Sequence, residues 1–351
     1  MDIDAQTLLA IRMRRLHIID RATSHQITSD LMGMQAQFAN NPKNALRIRA
    51  TDYHAERWSD SLVKIWSFRH TLHDVLSSEV GLYLSARGKP ETWENSWGIP
   101  ADRMRDHAAR FMDMLEEGVS TRSALKRRFA QAGVERDELE RVFYGWGGLL
   151  YEMNQRGMIA MHPDTEKRFV PLENVEWMDK YKARAILFRR YFQTYGPASV
   201  YDLAAFMGLR MSEVNETLRA DFPPLESVEY NGQTLYYLGD IMSNGESPSP
   251  PDCRFLTGFD AIIMGYKDRS FIIDERNKRD LITNTGIVFP SVLLNGRLRA
   301  RWKLSGDTLN ITPFDKLTKT QRARIERAAR KAFMPKRRPK CEDRFKIIYL
   351  S

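Results

Sequence analysis

The feature that most constrains the fold is a layout of helices followed by a β-hairpin, which is clearest between residues 180 and 237. Apolar periodicity in this stretch predicts three helices, over residues 180–195, 199–207 and 212–218. Gly208 lies between the last two helices, where it predicts a tight turn. The strands expected over 228–237 flank Asn231-Gly232, the strongest short-range hairpin signal in the chain. Two helices around a glycine turn, followed by a hairpin, predict a winged helix-turn-helix.

The same layout occurs twice earlier in the chain. The first copy predicts four helices and a strand, over residues 4–22, 28–33, 41–50, 59–66 and 68–75. The second copy predicts three helices and a hairpin, over residues 101–116, 120–129, 137–156 and 158–171. Unrelated helices with incidental hairpins are the alternative that these patterns leave open. The repeated layout favours three tandem winged helix-turn-helix units with bounds 1–98, 99–178 and 179–242.

The character of the chain changes after a stretch rich in proline and serine, residues 243–252, which predicts an extended linker. Beyond it the sequence predicts short strands, over residues 259–264, 270–274, 287–294, 297–302, 307–313 and 344–350. A basic helix is expected over 318–333. Residues 253–351 therefore read as a β-rich C-terminal domain with one helix packed on it. The predicted fold class is α+β: three winged helix-turn-helix units followed by a β-rich module.

Length, apolar runs and cysteine content limit the class of protein. A chain of 351 residues exceeds one hydrophobic core, so several modules are expected. No apolar run approaches the about 20 residues that cross a bilayer, and residues 1–4 are acidic rather than arranged as a secretion signal. Cys253 and Cys341 are too few for a disulfide framework or a zinc site. We expect a cytoplasmic, monomeric protein that needs no metal or other cofactor and does not bind a membrane.

The net charge of +9 favours a polyanionic partner, with nucleic acid first and acidic membrane surfaces second. Much of the excess lies in one basic run, residues 322–340. Runs of basic residues often form only solvent-exposed faces. The net charge therefore indicates a class of partner but not the position of a binding site.

Two glutamines separated by one residue, Gln35 and Gln37, form the most unusual local pattern. A carboxamide offers both donors and an acceptor, so two of them can hold one water molecule from two sides. In extended chain the side chains of residues i and i+2 point to the same face, whereas on a helix they diverge by roughly 200°. The pair is therefore a candidate water-holding site if the backbone is extended. The alternative is two ordinary surface glutamines at the end of a helix.

Several motifs in order along the chain resemble the AlkZ-like family of winged-helix DNA glycosylases, in its Gln-x-Gln branch. The residues that carry the resemblance are Gly33-Met-Gln-Ala-Gln37, Arg69-His-Thr-Leu-His73, Gly258-Phe-Asp260, Gly265-Tyr-Lys-Asp-Arg269, and Leu293-Leu-Asn-Gly-Arg297 leading to Trp302. The resemblance implies a tandem winged-helix fold with a β-rich C-terminal part. It also implies metal-independent excision of bulky or crosslinking N7-alkylpurines from duplex DNA, with Gln35 and Gln37 as the catalytic residues.

The chemistry of such a lesion suits neutral side chains. An N7-alkylated guanine already carries positive charge, so it departs as a neutral base without the general acid that most glycosidases keep. The remaining tasks are to place a water at C1′ and to set dipoles near the developing positive charge of the sugar. We expect Gln37 to hold the water and Gln35 to assist beside the sugar, although the two roles could be reversed.

Candidate DNA contacts follow from the same motifs. They are His73, Tyr266, Lys267, Arg269, Arg299 and Arg301. The last two lie on a predicted strand whose charges could instead only keep a sheet edge soluble. His73 could contact a phosphate or form a buried hydrogen bond, and in a strand it faces away from His70, which argues against a shared metal. Asp260 could hold Arg269 or cap a turn.

The expected partner is duplex DNA that contains alkylated purines. The rival function is a winged-helix DNA-binding protein or transcriptional regulator without catalysis, which would bind a specific sequence and need neither glutamine. A protein-interaction scaffold is a third class, and salt-insensitive binding would point to it. The sequence names neither the lesion nor the biological setting.

Overall fold

The computed structural model describes residues 1–145, 147–164, 166–220, 222–241, 249–334 and 345–350. Its helices are α1 (Ala5–Arg15), α2 (Ser24–Asp30), α3 (Asn40–Arg49), α4 (Val80–Ser85), α5 (Ala101–Glu116), α6 (Arg122–Gln131), α7 (Arg136–Val142), α8 (Gly148–Gln155), α9 (Lys180–Thr194), α10 (Val200–Met207), α11 (Met211–Arg219), α12 (Ala261–Met264), α13 (Lys278–Leu281) and α14 (Lys319–Phe333). Its strands are β1 (Met34–Gln35), β2 (Leu62–Trp66), β3 (Leu72–Leu76), β4 (Ile159–Met161), β5 (Phe169–Pro171), β6 (Glu226–Tyr230), β7 (Gln233–Tyr237), β8 (Cys253–Leu256), β9 (Ser291–Leu294), β10 (Arg297–Ser305), β11 (Thr308–Pro313) and β12 (Lys346–Tyr349).

The mixture of helices and several sheets confirms the α+β class. The chain divides into two compact units. The first comprises Met1–Gln35, Asn40–Trp58 and Phe188–Ser351, and the second Ala36–Ala39 and Ser59–Leu187. Most of the predicted linker lies outside the described residues. Within the described part of the chain, no helix is both long and apolar enough to span a membrane.

The helix-turn-helix predicted after residue 199 is present in the first unit. Ser199 caps α10 and forms a capping box with Asp202, because each side chain accepts a backbone N–H at the start of the helix. Gly208 ends α10 in the left-handed conformation at φ 70°, and α11 begins three residues later. The hairpin of β6 and β7 turns at Asn231 and Gly232, which both have positive φ. Capping and turn residues thus set the bounds of these elements.

The C-terminal part of the first unit is a five-stranded sheet with the order β12-β11-β10-β9-β8. Its strands pair antiparallel except β11 with β12, which are parallel. On β10, Ala300 and Trp302 point into a core that they share with Ile325 and Phe333 of α14. This sheet and the helix packed on it lie within the residues predicted as the C-terminal module.

Two strands predicted in this module are wrong. Residues 259–264 contain the short helix α12, because the Asp260 side chain caps its first turn by accepting the Ile262 N–H. Residues 270–274 form a turn in which the N–H groups of Ile272 and Ile273 both donate to the Arg269 carbonyl. Short apolar runs do not distinguish buried turns and helices from strands, and these two errors have that cause.

The second unit holds a sheet with the strand order β3-β2-β4-β5, so β3 of the first copy and the hairpin predicted as the wing of the second copy share one sheet. The helix predicted over 59–66 is wrong, because this segment contains β2, whose residues are buried on both faces and bond to β3 and β4. The helix predicted over 137–156 is interrupted between α7 and α8. Gly148 lies there at φ 67°, and a Cβ on it would approach the Arg141 carbonyl oxygen to 2.2 Å.

Candidate functional site

The glutamine segment follows a sharp change of backbone direction after α2. Met32 and Gly33 both have positive φ, and the chain then becomes extended through β1. Gln35 is buried, with 8% of its surface exposed, and Gln37 is half-buried at the start of a bend. Gln35 lies on extended backbone, as its predicted role requires. That both amides point to one face stays a prediction.

Within the second unit, the backbone between the two glutamines is fixed to a strand. The Ala36 N–H donates to the Leu72 carbonyl at 2.7 Å, and Leu72 is the first residue of β3. Ala36 is itself buried. This hydrogen bond sets the position of the residue before Gln37 relative to the polar residues of β3, His73 and Asp74.

His73 is buried, with 3% of its surface exposed, and its Nδ1 lies 2.9 Å from the Ser67 hydroxyl. Burial lowers the pKa of His73 to about 3, and the nearby Arg69 lowers it further in the same direction. The ring is therefore neutral at physiological pH. Of the two roles predicted for His73, the structure contains the buried hydrogen bond, and the side chain is shielded from a phosphate.

Beside His73 lies a pair of buried ionisable residues that the sequence does not single out. Asp74 is fully buried and pairs across the sheet with Lys64, whose Nζ lies 3.9 Å from a carboxylate oxygen. Neither Asp74 oxygen accepts a hydrogen bond from the residues that the structure describes. Burial raises the pKa of Asp74 to about 8, and the Lys64 charge offsets only part of this. A charged residue inside the apolar strand Leu72–Leu76 was the available signal.

In the first unit, Tyr266 lies in the interior with 2% of its surface exposed. Its hydroxyl donates to the Tyr195 carbonyl at 2.7 Å, and the Arg12 guanidinium packs 3.7 Å from its ring centroid. The preceding Gly265 is required by packing, because a Cβ there would approach the Tyr195 ring to 2.3 Å. Tyr266 therefore supports the core and is not available to DNA in this conformation.

The two cations after Tyr266 differ in exposure. Lys267 is exposed, and its backbone N–H donates to the Asp202 carboxylate at 2.7 Å. Arg269 is half-buried and donates from Nε to the Ile263 carbonyl at 2.7 Å, and burial lowers the pKa of its guanidinium. Lys267 is thus the better placed of the two for a phosphate.

Arg299 and Arg301 lie on the face of β10 opposite its buried residues, and both are half-buried. The Arg299 guanidinium contacts the Asp274 carboxylate at 3.1 Å, which already offsets part of its charge. The Arg301 guanidinium lies 4.8 Å from the Phe289 ring centroid, a contact with a ring that carries no formal charge.

Asp260 caps the first turn of α12, which is one of the two roles predicted for it. It does not hold Arg269, which was the other. It also pairs with the fully buried Arg49 at 2.7 Å. Removing one member of a buried pair leaves a charge without its partner, so both residues belong to the structural framework. Across the described ranges, no group of three or more His, Cys, Asp or Glu side chains is arranged to hold a metal ion.

A family model described as DNA glycosylase AlkZ-like matches residues 28–332. The interstrand DNA cross-link repair glycosylase of Streptomyces sahachiroi is 25% identical over 333 residues, which are 88% of this chain and 90% of that protein. The solved structure of Streptomyces sahachiroi DNA glycosylase AlkZ is similar with a TM-score of 0.78 at 20% identity, covering 100% of both chains. The similarity in fold thus extends over the whole chain.

Proposed function

The chain belongs to the AlkZ-like family of DNA glycosylases, as its motifs predicted, and we propose that it hydrolyses the N-glycosidic bond of bulky N7-alkylated purines in duplex DNA. We further propose that it unhooks interstrand crosslinks, since a relative of similar length carries that name. The observation that carries the proposal is the Gln35-Ala36-Gln37 segment inside the matched region. In this proposal the protein acts as a monomer in the cytoplasm.

The proposed catalytic residues are Gln35 and Gln37. The sugar develops positive charge as the C1′–N9 bond breaks, and the alkylated base leaves as a neutral molecule with the electron pair of that bond. Amide oxygens that point at C1′ favour this charge, and one of them orients the attacking water. The water loses its proton to solvent after it has bonded to C1′, so no strong base is required at neutral pH. Gln37, the more exposed of the two, is our choice to hold the water.

A crosslinked nucleotide constrains how the enzyme reaches its substrate. Most glycosylases rotate the damaged nucleotide into a pocket, but a nucleotide tethered to the opposite strand does not leave the duplex. The catalytic segment must therefore approach an intact double helix. We propose that winged-helix units carry the duplex, with α10, α11 and the β6–β7 hairpin as the third of them and residues 1–98 and 99–178 as the first two. The β-rich domain at 253–351 would complete the fold.

Exposed and half-buried cations of the first unit support DNA binding. Of the predicted contacts, Lys267, Arg299 and Arg301 remain accessible enough to meet phosphates, whereas His73 and Tyr266 are buried. Exposed residues of α14 add cations, namely Lys319, Arg327, Arg330 and Lys331. Phosphate contacts supply most of the sequence-independent affinity for DNA, as a repair enzyme requires.

The experiment that tests the function uses the full chain and duplex oligonucleotides with a single N7-alkylguanine. Incubation should release the alkylated base and leave an abasic site, which alkali converts into a strand break. A matched duplex with unmodified guanine is the control and should remain intact. An alkylated duplex that the protein binds but leaves uncleaved after alkali would exclude the proposed enzyme activity.

A further inference from the structure

The connection between β2 and β3 holds two adjacent residues in an unfavourable conformation. Arg69 and His70 both have positive φ, 53° and 55°. Each such residue without a glycine's freedom costs roughly 1 to 2 kcal/mol, so the surrounding contacts must hold it there. This strained turn presents the His70 ring at the surface. Strain of this kind is found preferentially at binding sites.

The His70 ring packs against two polar side chains of the second unit. The Tyr151 hydroxyl lies 2.9 Å from His70 Nδ1, and the two ring centroids are 5.7 Å apart. The Arg87 Nη2 lies 2.8 Å from the Tyr151 hydroxyl and 3.2 Å from His70 Nδ1. Arg87 is held in place by two further bonds, to the Gln155 amide oxygen at 2.6 Å and to the Ser67 carbonyl at 3.3 Å. The cluster is therefore rigid.

The cluster offers several hydrogen-bond donors. Arg87 can only donate, so the Tyr151 oxygen accepts from Arg87. The Tyr151 hydroxyl and the His70 ring share one hydrogen bond, whose direction depends on the tautomer of the ring. Either neutral tautomer carries one N–H and a protonated ring carries two, so His70 supplies at least one donor beside the Arg87 guanidinium.

The cluster also carries positive charge without a balancing carboxylate. The described side chains include no Asp or Glu in an ion pair with Arg87. Burial and the Arg87 charge together lower the pKa of His70. Fixed donors around an unbalanced cation are suited to an anion with several acceptor oxygens, and phosphate is such an anion.

Chain geometry places this cluster near the catalytic segment. His70 precedes Leu72 by two residues, and the Leu72 carbonyl accepts the Ala36 N–H. Two residues of chain and one strand spacing correspond to roughly 10 Å between the backbones of His70 and Ala36. Since one DNA strand advances about 3.4 Å per nucleotide, this distance equals about three nucleotides.

We propose that His70, Tyr151 and Arg87 form a phosphate site that holds a backbone phosphate of the duplex within about three nucleotides of the reacting sugar. The inference rests on the proposed function for the identity of the ligand. These are positioning residues, since none of them contacts the bond that breaks. The site adds one fixed reference point between the DNA backbone and the segment that carries Gln37.

The first test is an NMR titration of the His70 ring in the full chain, alone and with undamaged duplex. Apart from the adjacent Arg69, the titratable groups packed against the ring are Arg87 and Tyr151, so a nearby phosphate is the new charge in the complex. A bound phosphate should raise the pKa of His70 by about one pH unit. An unchanged His70 titration in saturated complex would overturn the proposal. A rise in the His70 pKa with inorganic phosphate but not with duplex would overturn the proposal that the ligand is a phosphate of the DNA backbone.

The second test uses variants and undamaged duplex. Arg87→Gln should make the slope of log affinity against log salt shallower by about 0.9, the value for one phosphate contact. Arg276→Gln, which removes an exposed arginine of the C-terminal domain paired with Asp315, is the matched control and should leave the slope unchanged. An unchanged slope in a folded Arg87 variant contradicts the site. Tyr151→Phe keeps the ring packing and should abolish the rise in the His70 pKa on duplex binding. This variant tests the proposal if Arg87→Gln fails to fold.

Failure of this inference and failure of the proposed function give different results. Alkylated duplex could yield abasic sites while DNA leaves the His70 pKa unchanged and Arg87→Gln leaves the salt dependence of affinity unchanged. In that case only the proposal of the phosphate site is wrong. If both respond and no abasic sites form, the site binds DNA and the enzyme proposal is wrong.

Discussion

At the scale of single residues, the chemistry depends on which polar groups the fold buries. The sequence indicated Gln35 and Gln37, because two carboxamides in an apolar setting are unusual. It did not indicate the Lys64–Asp74 pair, because burial of an ionisable side chain depends on neighbours far away in the chain. It named His73 and Tyr266 as DNA contacts from motif position alone, and packing instead directs both side chains inward. Residue types could be read from the sequence, whereas the exposure of each side chain could be determined only from the structure.

Asp74 should make stability depend on pH. Its folded pKa of about 8 lies above its ordinary value, so the folded state keeps a proton that the unfolded state loses. The stabilisation is fully present below about pH 4 and is lost as the pH rises toward 8. Asn does not titrate, so the Asp74→Asn variant lacks this loss. Its free energy of unfolding should rise relative to that of wild type by roughly 1 kcal/mol per pH unit between about pH 4 and pH 8. Urea denaturation at pH 5, 6, 7 and 8 measures it, and parallel curves for the two proteins would contradict the assignment.

His73 should remain neutral well below the usual pKa of histidine. Burial lowers its pKa to about 3, so its ring should keep the same NMR chemical shifts from pH 7 to pH 5. A His73 ring that titrates near pH 6 would show that it is accessible and would restore it as a candidate phosphate contact.

At the scale of elements, local signals predicted well where caps and turns set the bounds. Ser199, Gly208 and Asn231-Gly232 fixed the helix-turn-helix and hairpin of the third copy. Prediction failed at 59–66, where the apolar residues of β2 fit either a short helix or a strand buried on both faces. Only pairing with β3 and β4 decides between them, and that pairing is not local.

The capping box at Ser199 provides a test at this scale. Ser199→Ala removes the acceptor for the Asp202 N–H and the hydroxyl that donates to the Asp202 carboxylate. We expect a loss of about 1 kcal/mol in the free energy of unfolding, measured by urea denaturation. Ser212→Ala, at an exposed position within α11, is the matched control and should change stability by less than about 0.5 kcal/mol. Equal effects of the two substitutions would show that the capping box contributes nothing.

At the scale of the whole molecule, the net charge of +9 should make DNA binding strongly dependent on salt. About 6 to 10 phosphate contacts would reduce the affinity roughly 10³- to 10⁵-fold between 50 and 200 mM salt. Composition predicted this class of partner, and the structure determines which cations are accessible.

The accessible cations of the first unit give a graded prediction. Lys267→Gln and Arg301→Gln should each make the slope of log affinity against log salt shallower by about 0.9, because no carboxylate among the described residues offsets either charge. Arg299→Gln should have a smaller effect, because Asp274 already offsets part of the charge of Arg299. Fluorescence anisotropy with undamaged duplex at several salt concentrations measures the three slopes. A larger effect for Arg299 than for Arg301 would contradict this ranking.

The most direct measurement is the rate of abasic-site formation in an N7-alkylguanine duplex by wild type and by the Gln35→Ala, Gln37→Ala double variant. Loss of one preorganised polar group typically costs about 10²- to 10³-fold in rate, so the double variant should be slower by at least that factor. Its affinity for undamaged duplex should remain within a few fold of wild type. A double variant that forms abasic sites at the wild-type rate would contradict catalysis by the two carboxamides.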